Sequence, residues 1–184
     1  MRYAALIFAL MLAACSRGSF HMTDISGAMP RLDFKLTRAG DGHIVTGQSY
    51  RGQVVVLYFG YTNCPDICPA TLANMAGVLS KVNNKNVRLL FVSVDPNRDT
   101  PDVLNRYVHA FSPQFDGLRG SDNELADVAR HYRVAYSVDS QPPYTVMHSN
   151  AMFFFDREGR IRLVTTDTTD TDAIAEDVRR LLDM

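Results

Sequence analysis

At 184 residues with 46% hydrophobic content, the chain is long enough to bury one substantial core and too short for two ordinary domains. Its 19 Lys and Arg against 20 Asp and Glu give a formal net charge of −1, with no basic run, which argues against a nucleic-acid partner.

The chain opens with Arg2, an apolar stretch from Ala4 to Leu12 and small residues before Cys15, the anatomy of a secretory signal. The stretch is shorter than the roughly 17–25 residues that span a bilayer. Leu12-Ala13-Ala14-Cys15 resembles a bacterial lipoprotein box, in which the peptide is cut before the cysteine and the thiol takes diacylglycerol. That resemblance implies a signal peptide over residues 1–14, a lipid on Cys15, and a domain facing the periplasm of a bacterial cell envelope. From Ser16 to Pro30 small, polar and methionine residues follow without periodicity, so residues 15–30 are expected to be a membrane tether. His21, Met22 and Met29 are its metal-capable side chains. The domain proper is expected over residues 31–184.

Leu32 to Leu36 alternates, Asp41-Gly42 marks a turn and His43 to Thr46 can return, which predicts an N-terminal hairpin. Val54 to Phe59 is a continuous β-branched and aromatic run, the pattern of a strand buried on both faces. Leu72, Met75, Ala76, Leu79 and Val82 recur at helical spacing up to Asn83-Asn84. Val87 to Val94 repeats the buried-strand pattern. Thr100-Pro101 reads as an N-cap with Pro at N1, opening a helix through Ala110. Ser121 to Glu124 has the form of a capping box before Leu125, Val128, Ala129 and Tyr132. Residues 136–147, with Pro142-Pro143, read as a loop. Ala151 to Phe155 and Ile161 to Val164 flank Asp156-Arg157-Glu158-Gly159 as a hairpin, and Asp170 to Leu182 closes the chain as an amphipathic helix. A central parallel βαβ followed by a ββα unit is the order of a thioredoxin-like α/β fold, a mixed sheet flanked by helices, here with an added N-terminal β-hairpin.

With Cys15 lipidated, Cys64 and Cys68 remain in an oxidising compartment. A bridge between them would close too small a loop to stabilise much, so the pair is read as chemical. In Asn63-Cys64-Pro65-Asp66-Ile67-Cys68-Pro69 a strand runs into a helix, with Pro65 suited to N1, Cys64 near the N-cap and Cys68 one turn on, on the same side. The helix N-terminus is expected to favour thiolate at both, and Pro69 to make the first turn irregular. Two thiolates form a soft donor set that suits Cu(I), or Zn(II) if further ligands close a tetrahedron. His148, just before the strand at Ala151, is the candidate third ligand. In thioredoxin-like folds this connection approaches the cysteine turn and commonly carries a cis-proline, and here a histidine stands in that place.

Phe59 to Pro69 resembles the signature of the Sco/SenC family, copper chaperones that help assemble the dinuclear copper centre of cytochrome c oxidase. Val92 to Pro96 with Arg98 to Pro101 resembles a second family block, and Val146 to Ser149 a third. The resemblance spans residues 22–182. It implies that Cys64, Cys68 and His148 hold copper, as Cu(I) or Cu(II), with Asp95 as an outer partner of the site. It also implies delivery to the copper-bearing oxidase subunit or exchange with another copper chaperone. Met147 departs from the family, which commonly carries an acidic or other polar residue there. Met147 as a thioether ligand is the weaker alternative to packing.

Two functions follow: a copper metallochaperone, or a thiol-disulfide oxidoreductase that reduces the acceptor's cysteines before metallation. A CxxxC spacing argues mildly against general disulfide exchange, where CxxC dominates. A peroxiredoxin-like peroxidase would need a Thr three residues before the attacking cysteine, whereas Thr62 stands two before Cys64.

Overall fold

The computed structural model describes residues 19–184, so the segment read as a signal peptide and the expected lipid site Cys15 lie outside the described residues. In chain order the elements are β1 (Thr23–Asp24), β2 (Lys35–Arg38), β3 (Ile44–Thr46), β4 (Val54–Gly60), α1 (Ile67–Val82), β5 (Val87–Ser93) and α2 (Pro101–His109). There follow β6 (Phe115–Arg119), α3 (Asp122–His131), β7 (Tyr136–Asp139), β8 (Thr145–His148), β9 (Met152–Phe155), β10 (Ile161–Thr165) and α4 (Thr171–Leu182).

Eight strands make one mixed sheet in the order β1-β10-β9-β4-β5-β6-β2-β3, and β7 and β8 pair separately. At its centre β4, β5 and β6 are parallel, with β9 antiparallel beside β4: a thioredoxin-like architecture. The unbroken apolar run of β4 is explained by two cores. Val54, Val56 and Tyr58 face one with Leu72, Met75 and Val78 of α1, Leu104 of α2 and Val178 of α4. Val55, Leu57 and Phe59 face the other with Leu125 and Val128 of α3. Burying each such side chain contributes about 1.5–3 kcal/mol, which makes β4 a rigid base for whatever follows it.

The helix signals hold. Thr100 Oγ1 accepts the Val103 N–H with Pro101 in the first turn, Ser121 and Glu124 form a reciprocal capping box, and α1 stops at Asn83 in the left-handed conformation. The N-terminal hairpin exists as β2 and β3, pairing Leu36 with Val45, and β2 adds antiparallel to β6. It begins three residues later than the alternation suggests. Leu32 and Phe34 are buried in the second core outside any strand, anchored by the Leu32 N–H on the Gly159 carbonyl.

Two expectations are corrected, and one strand is added. The segment read as a tether is laid on the domain from its first described residues. β1 pairs Thr23 with Val164 on the open edge of β10, Met22 is buried, and the His21 and Met22 N–H groups both donate to Asp177 Oδ2 at 2.8 Å. Its apolar residues lack periodicity because each fills a different gap, Met22 in the first core and Met29 beside the second. The stretch 136–147 holds most of the β7–β8 hairpin rather than a loop. Strand β6 was not anticipated, because Asp116-Gly117 interrupts its apolar pattern. Gly117 is required there, since a Cβ would lie 2.6 Å from Leu104 Cγ.

Candidate metal centre

Gly60 ends β4, and its lack of a side chain lets the chain pass the Phe91 ring and Cys68, where a Cβ would meet Phe91 at 2.7 Å and the Cys68 sulfur at 3.1 Å. The chain then turns through residues 61–66 into α1. The helix begins at Ile67 with Asp66 as N-cap, two residues later than the sequence suggests. Cys64 and Pro65 therefore precede the helix, and Cys68 is its second residue. Pro69 sits at the third position, where its missing N–H costs nothing, and the first backbone bond of the helix runs from the Ala70 N–H to the Asp66 carbonyl at 3.2 Å. The helix is continuous from Ile67, and the irregular backbone falls on its N-cap, Asp66, at φ −144° and ψ −68°.

Asp66 makes no side-chain cap. The Cys64 sulfur stands in for one, accepting the Cys68 N–H at 3.4 Å. The loop is fastened from below by Asp99, whose buried carboxylate accepts the Thr62 N–H at 3.1 Å, the Thr62 hydroxyl at 2.6 Å and the Ser93 hydroxyl at 2.6 Å.

His148 arrives from β8, opposite Tyr136 of β7. Its Nδ1 lies 2.9 Å from the Ser149 carbonyl. A carbonyl accepts only, so Nδ1 carries the proton and Nε2 presents a bare lone pair, the arrangement a metal ligand needs. Nε2 lies 3.4 Å from Cys68 Sγ, and the ring stands edge-on to Tyr58 and Tyr61 at centroid distances of 6.2 and 5.8 Å. The Cys64 and Cys68 sulfurs and an imidazole nitrogen of His148 all lie within 4.8 Å of one another, and no other His, Cys, Asp or Glu group among the described residues meets that criterion. A three-coordinate ion with bonds of roughly 2.0–2.3 Å holds its donors roughly 3.5–4 Å apart, so the three fit one small ion with little movement.

The two thiols are not equivalent, contrary to the expectation that the helix mouth would favour thiolate at both. Cys64 is half-buried. Burial pushes its pKa up, but the Cys68 and Asp66 N–H groups, the Cys68 thiol and the Tyr61 hydroxyl outweigh that and bring it below the ordinary thiol value. Cys68 is fully buried, and desolvation, with Cys64 as its neighbour, pushes it up to about 12. Burial likewise lowers His148, against the opposing pull of the Ser149 carbonyl, so the ring is neutral at pH 7.

Asp95 does not touch the three donors. It is buried at the end of β5, where it pairs with Arg98 and accepts the Tyr144 hydroxyl at 2.7 Å. Met147 is 70% exposed and alternates with His148 along β8. His21 pairs with Glu176, and Met22 and Met29 pack against the cores. Tyr58, Tyr61, Asp99 and Tyr144 were missed by sequence reasoning. Arg98 and Asp99 lie in the second stretch that resembles the family, but nothing in their spacing reveals a role.

A thioredoxin-like domain with free cysteines at a helix mouth, and a histidine brought to them on a separate hairpin, is a thiol- and imidazole-bearing domain of redox or soft-metal type. Residues 25–183 match the profile described as SCO1/SenC, and the chain belongs to that family. It is similar to the mitochondrial SCO2 homologue of Bos taurus, 35% identical over 179 residues, covering 94% of this chain and 62% of the relative. It thus spans less than two thirds of that protein's length. Among solved structures it resembles Arabidopsis thaliana ScoI with copper bound, at a TM-score of 0.75 and 36% identity, covering 83% of this chain and 98% of that one. It also resembles Bradyrhizobium japonicum ScoI with copper bound, at 0.73 and 34%, covering 82% and 98%.

Proposed function

We propose that this protein binds copper through Cys64, Cys68 and His148 and carries it, as cargo, to the dinuclear copper centre of cytochrome c oxidase. The observation that carries this reading is the convergence of two sulfurs and one imidazole nitrogen within 4.8 Å, a soft set matched to Cu(I). Copper-bound relatives at 36% and 34% identity support it. The acceptor is the copper-bearing oxidase subunit, or a second chaperone in the same relay. A lipid on Cys15 holds the domain to the membrane on the periplasmic side of a bacterial envelope, where it raises the effective concentration of donor at a membrane-bound acceptor. Residues 1–14 are removed as signal.

Anaerobic titration against a competing Cu(I) chelator tests the reading. Tight binding that weakens in His148→Ala is expected, and weak binding indifferent to that substitution rules it out.

One observation favours a second activity at the same site. A half-buried Cys64, its sulfur accepting the Cys68 N–H, beside a fully buried Cys68 is the asymmetry of an attacking and a resolving thiol, and the opposite directions of their pKa shifts agree with it. As a reductase, Cys64 thiolate attacks a disulfide on the acceptor and expels one acceptor thiolate. Cys68 then displaces the other, leaving Cys64–Cys68 oxidised and the acceptor dithiol reduced. Disulfide exchange that stalls at the mixed disulfide in Cys68→Ser is expected of this reading, and exchange at background rate in the parent chain contradicts it.

A further inference from the structure

His148 is held in place by little of its own. The β7–β8 pair is a sheet of two strands, alternately half-buried and exposed, and a lone two-stranded hairpin is marginal in water. Its fixed points lie elsewhere. Half-buried Tyr136 and Val146 pack on the second core, and at the start of β8 the Tyr144 hydroxyl donates to Asp95 Oδ1 at 2.7 Å. The Arg98 guanidinium lies 3.8 Å from the centroid of the Tyr144 ring and pairs with the other oxygen of the same carboxylate. On its far side Arg98 lies 5.9 Å from the centroid of Tyr61, the ring that stands edge-on to His148.

Asp95 can serve as the fixed end because it is fully buried and sits in a tight turn, its carbonyl accepting the Arg98 and Asp99 N–H groups at 3.2 and 3.0 Å. Four residues further on, Asp99 fastens the cysteine loop through Thr62. One short connection between β5 and α2 thus grips both halves of the site, the cysteines through Asp99 and the histidine hairpin through Asp95.

We propose that Asp95, Arg98 and Tyr144 form a latch, positioning residues that hold the β7–β8 hairpin so that the His148 ring stays within bonding reach of the two sulfurs. Its consequence for metal affinity rests on the copper reading above. The latch itself does not. A carboxylate shared between a hydroxyl and a stacked guanidinium is a charge-assisted arrangement, shielded by the buried Asp95, and is therefore stronger than an exposed ion pair.

The test uses Tyr144→Phe in the full-length chain, which keeps the ring over Arg98 and removes only the hydroxyl, with Arg98→Lys as a second variant that keeps charge and loses the planar stack. The first readout needs no copper. With the Tyr58 and Tyr61 ring centroids 6.2 and 5.8 Å from it, the His148 ring should give ring-proton resonances displaced from those of an exposed histidine in the metal-free protein, and both variants should move them toward the exposed values while the midpoint of thermal unfolding changes little. The second is Cu(I) affinity by chelator competition. Tyr144→Phe should weaken it about 10- to 100-fold, as loss of an outer partner does, and should add nothing in a His148→Ala background. Unchanged ring resonances in both folded variants overturn the latch, and so does equal weakening with and without His148. If His148→Ala leaves copper affinity unaltered, the copper reading fails instead, and the ring resonances still decide the latch.

Discussion

The cysteine half and the histidine half of this site are built from opposite materials. Cys64 stands between a strand buried at every position and a 16-residue helix whose second residue is Cys68, and the loop from strand to helix is fastened by a fully buried Asp99. His148 ends a four-residue strand in a two-stranded sheet whose neighbour Met147 is 70% exposed. The difference teaches that position and affinity have separate sources here. The fold core fixes the sulfurs, whereas a few polar contacts fix the imidazole, so the two halves respond differently to substitution.

The largest expected contrast is in stability. Leu72→Ala, one turn beyond Cys68 and fully buried, should cost about 2–5 kcal/mol in denaturant unfolding. Val146→Ala, half-buried on the hairpin, should cost less than about 1 kcal/mol. The reverse order would break the comparison. Asp99→Asn replaces an acceptor of three hydrogen bonds by a side chain that is half donor, and should cost about 1–3 kcal/mol. It should alter Cys64 alkylation while leaving the His148 ring resonances in place. Ser121→Ala, which removes the α3 cap far from the site, should cost about 1 kcal/mol and leave Cu(I) affinity untouched.

The smallest effect is a slope on the acid side of the stability profile. Burial of Asp156 raises its pKa, but hydrogen bonds from the Arg160 and Glu158 N–H groups and the Arg160 side chain overcome this and hold it below the ordinary carboxylate value. Its stabilisation is therefore complete above the unfolded value of about 4 and is lost as pH falls through the lower folded value. Asp156→Asn should flatten that acid limb in unfolding measurements. An unchanged slope would remove Asp156 from the account.

How much of this was legible follows the same division. The β4 and β5 runs, the Thr100 and Ser121 caps and the Asn83 stop are local signals, and the structure keeps them because local preference and tertiary packing agree. The proximity of Cys64, Cys68 and His148 was legible only through the resemblance to a family and fold, since nothing in residues 69–147 measures the distance between them. The β7–β8 hairpin read as a loop because its two strands lack an apolar run and its anchor is the distant Tyr144–Asp95 contact. The N-terminal segment read as spacer because pairing with β10 is decided by an open sheet edge, which the segment's own composition does not reveal. Cys64 as a cap acceptor was missed because N-caps are sought among oxygen-bearing side chains.

X-ray absorption at the copper edge of the Cu(I)-loaded full-length protein tests the central claim most directly. Two sulfur neighbours and one nitrogen neighbour are predicted, with the nitrogen lost in His148→Ala and both sulfurs retained. A shell without nitrogen, or one that His148→Ala leaves unchanged, would contradict the proposal that the hairpin supplies the third ligand.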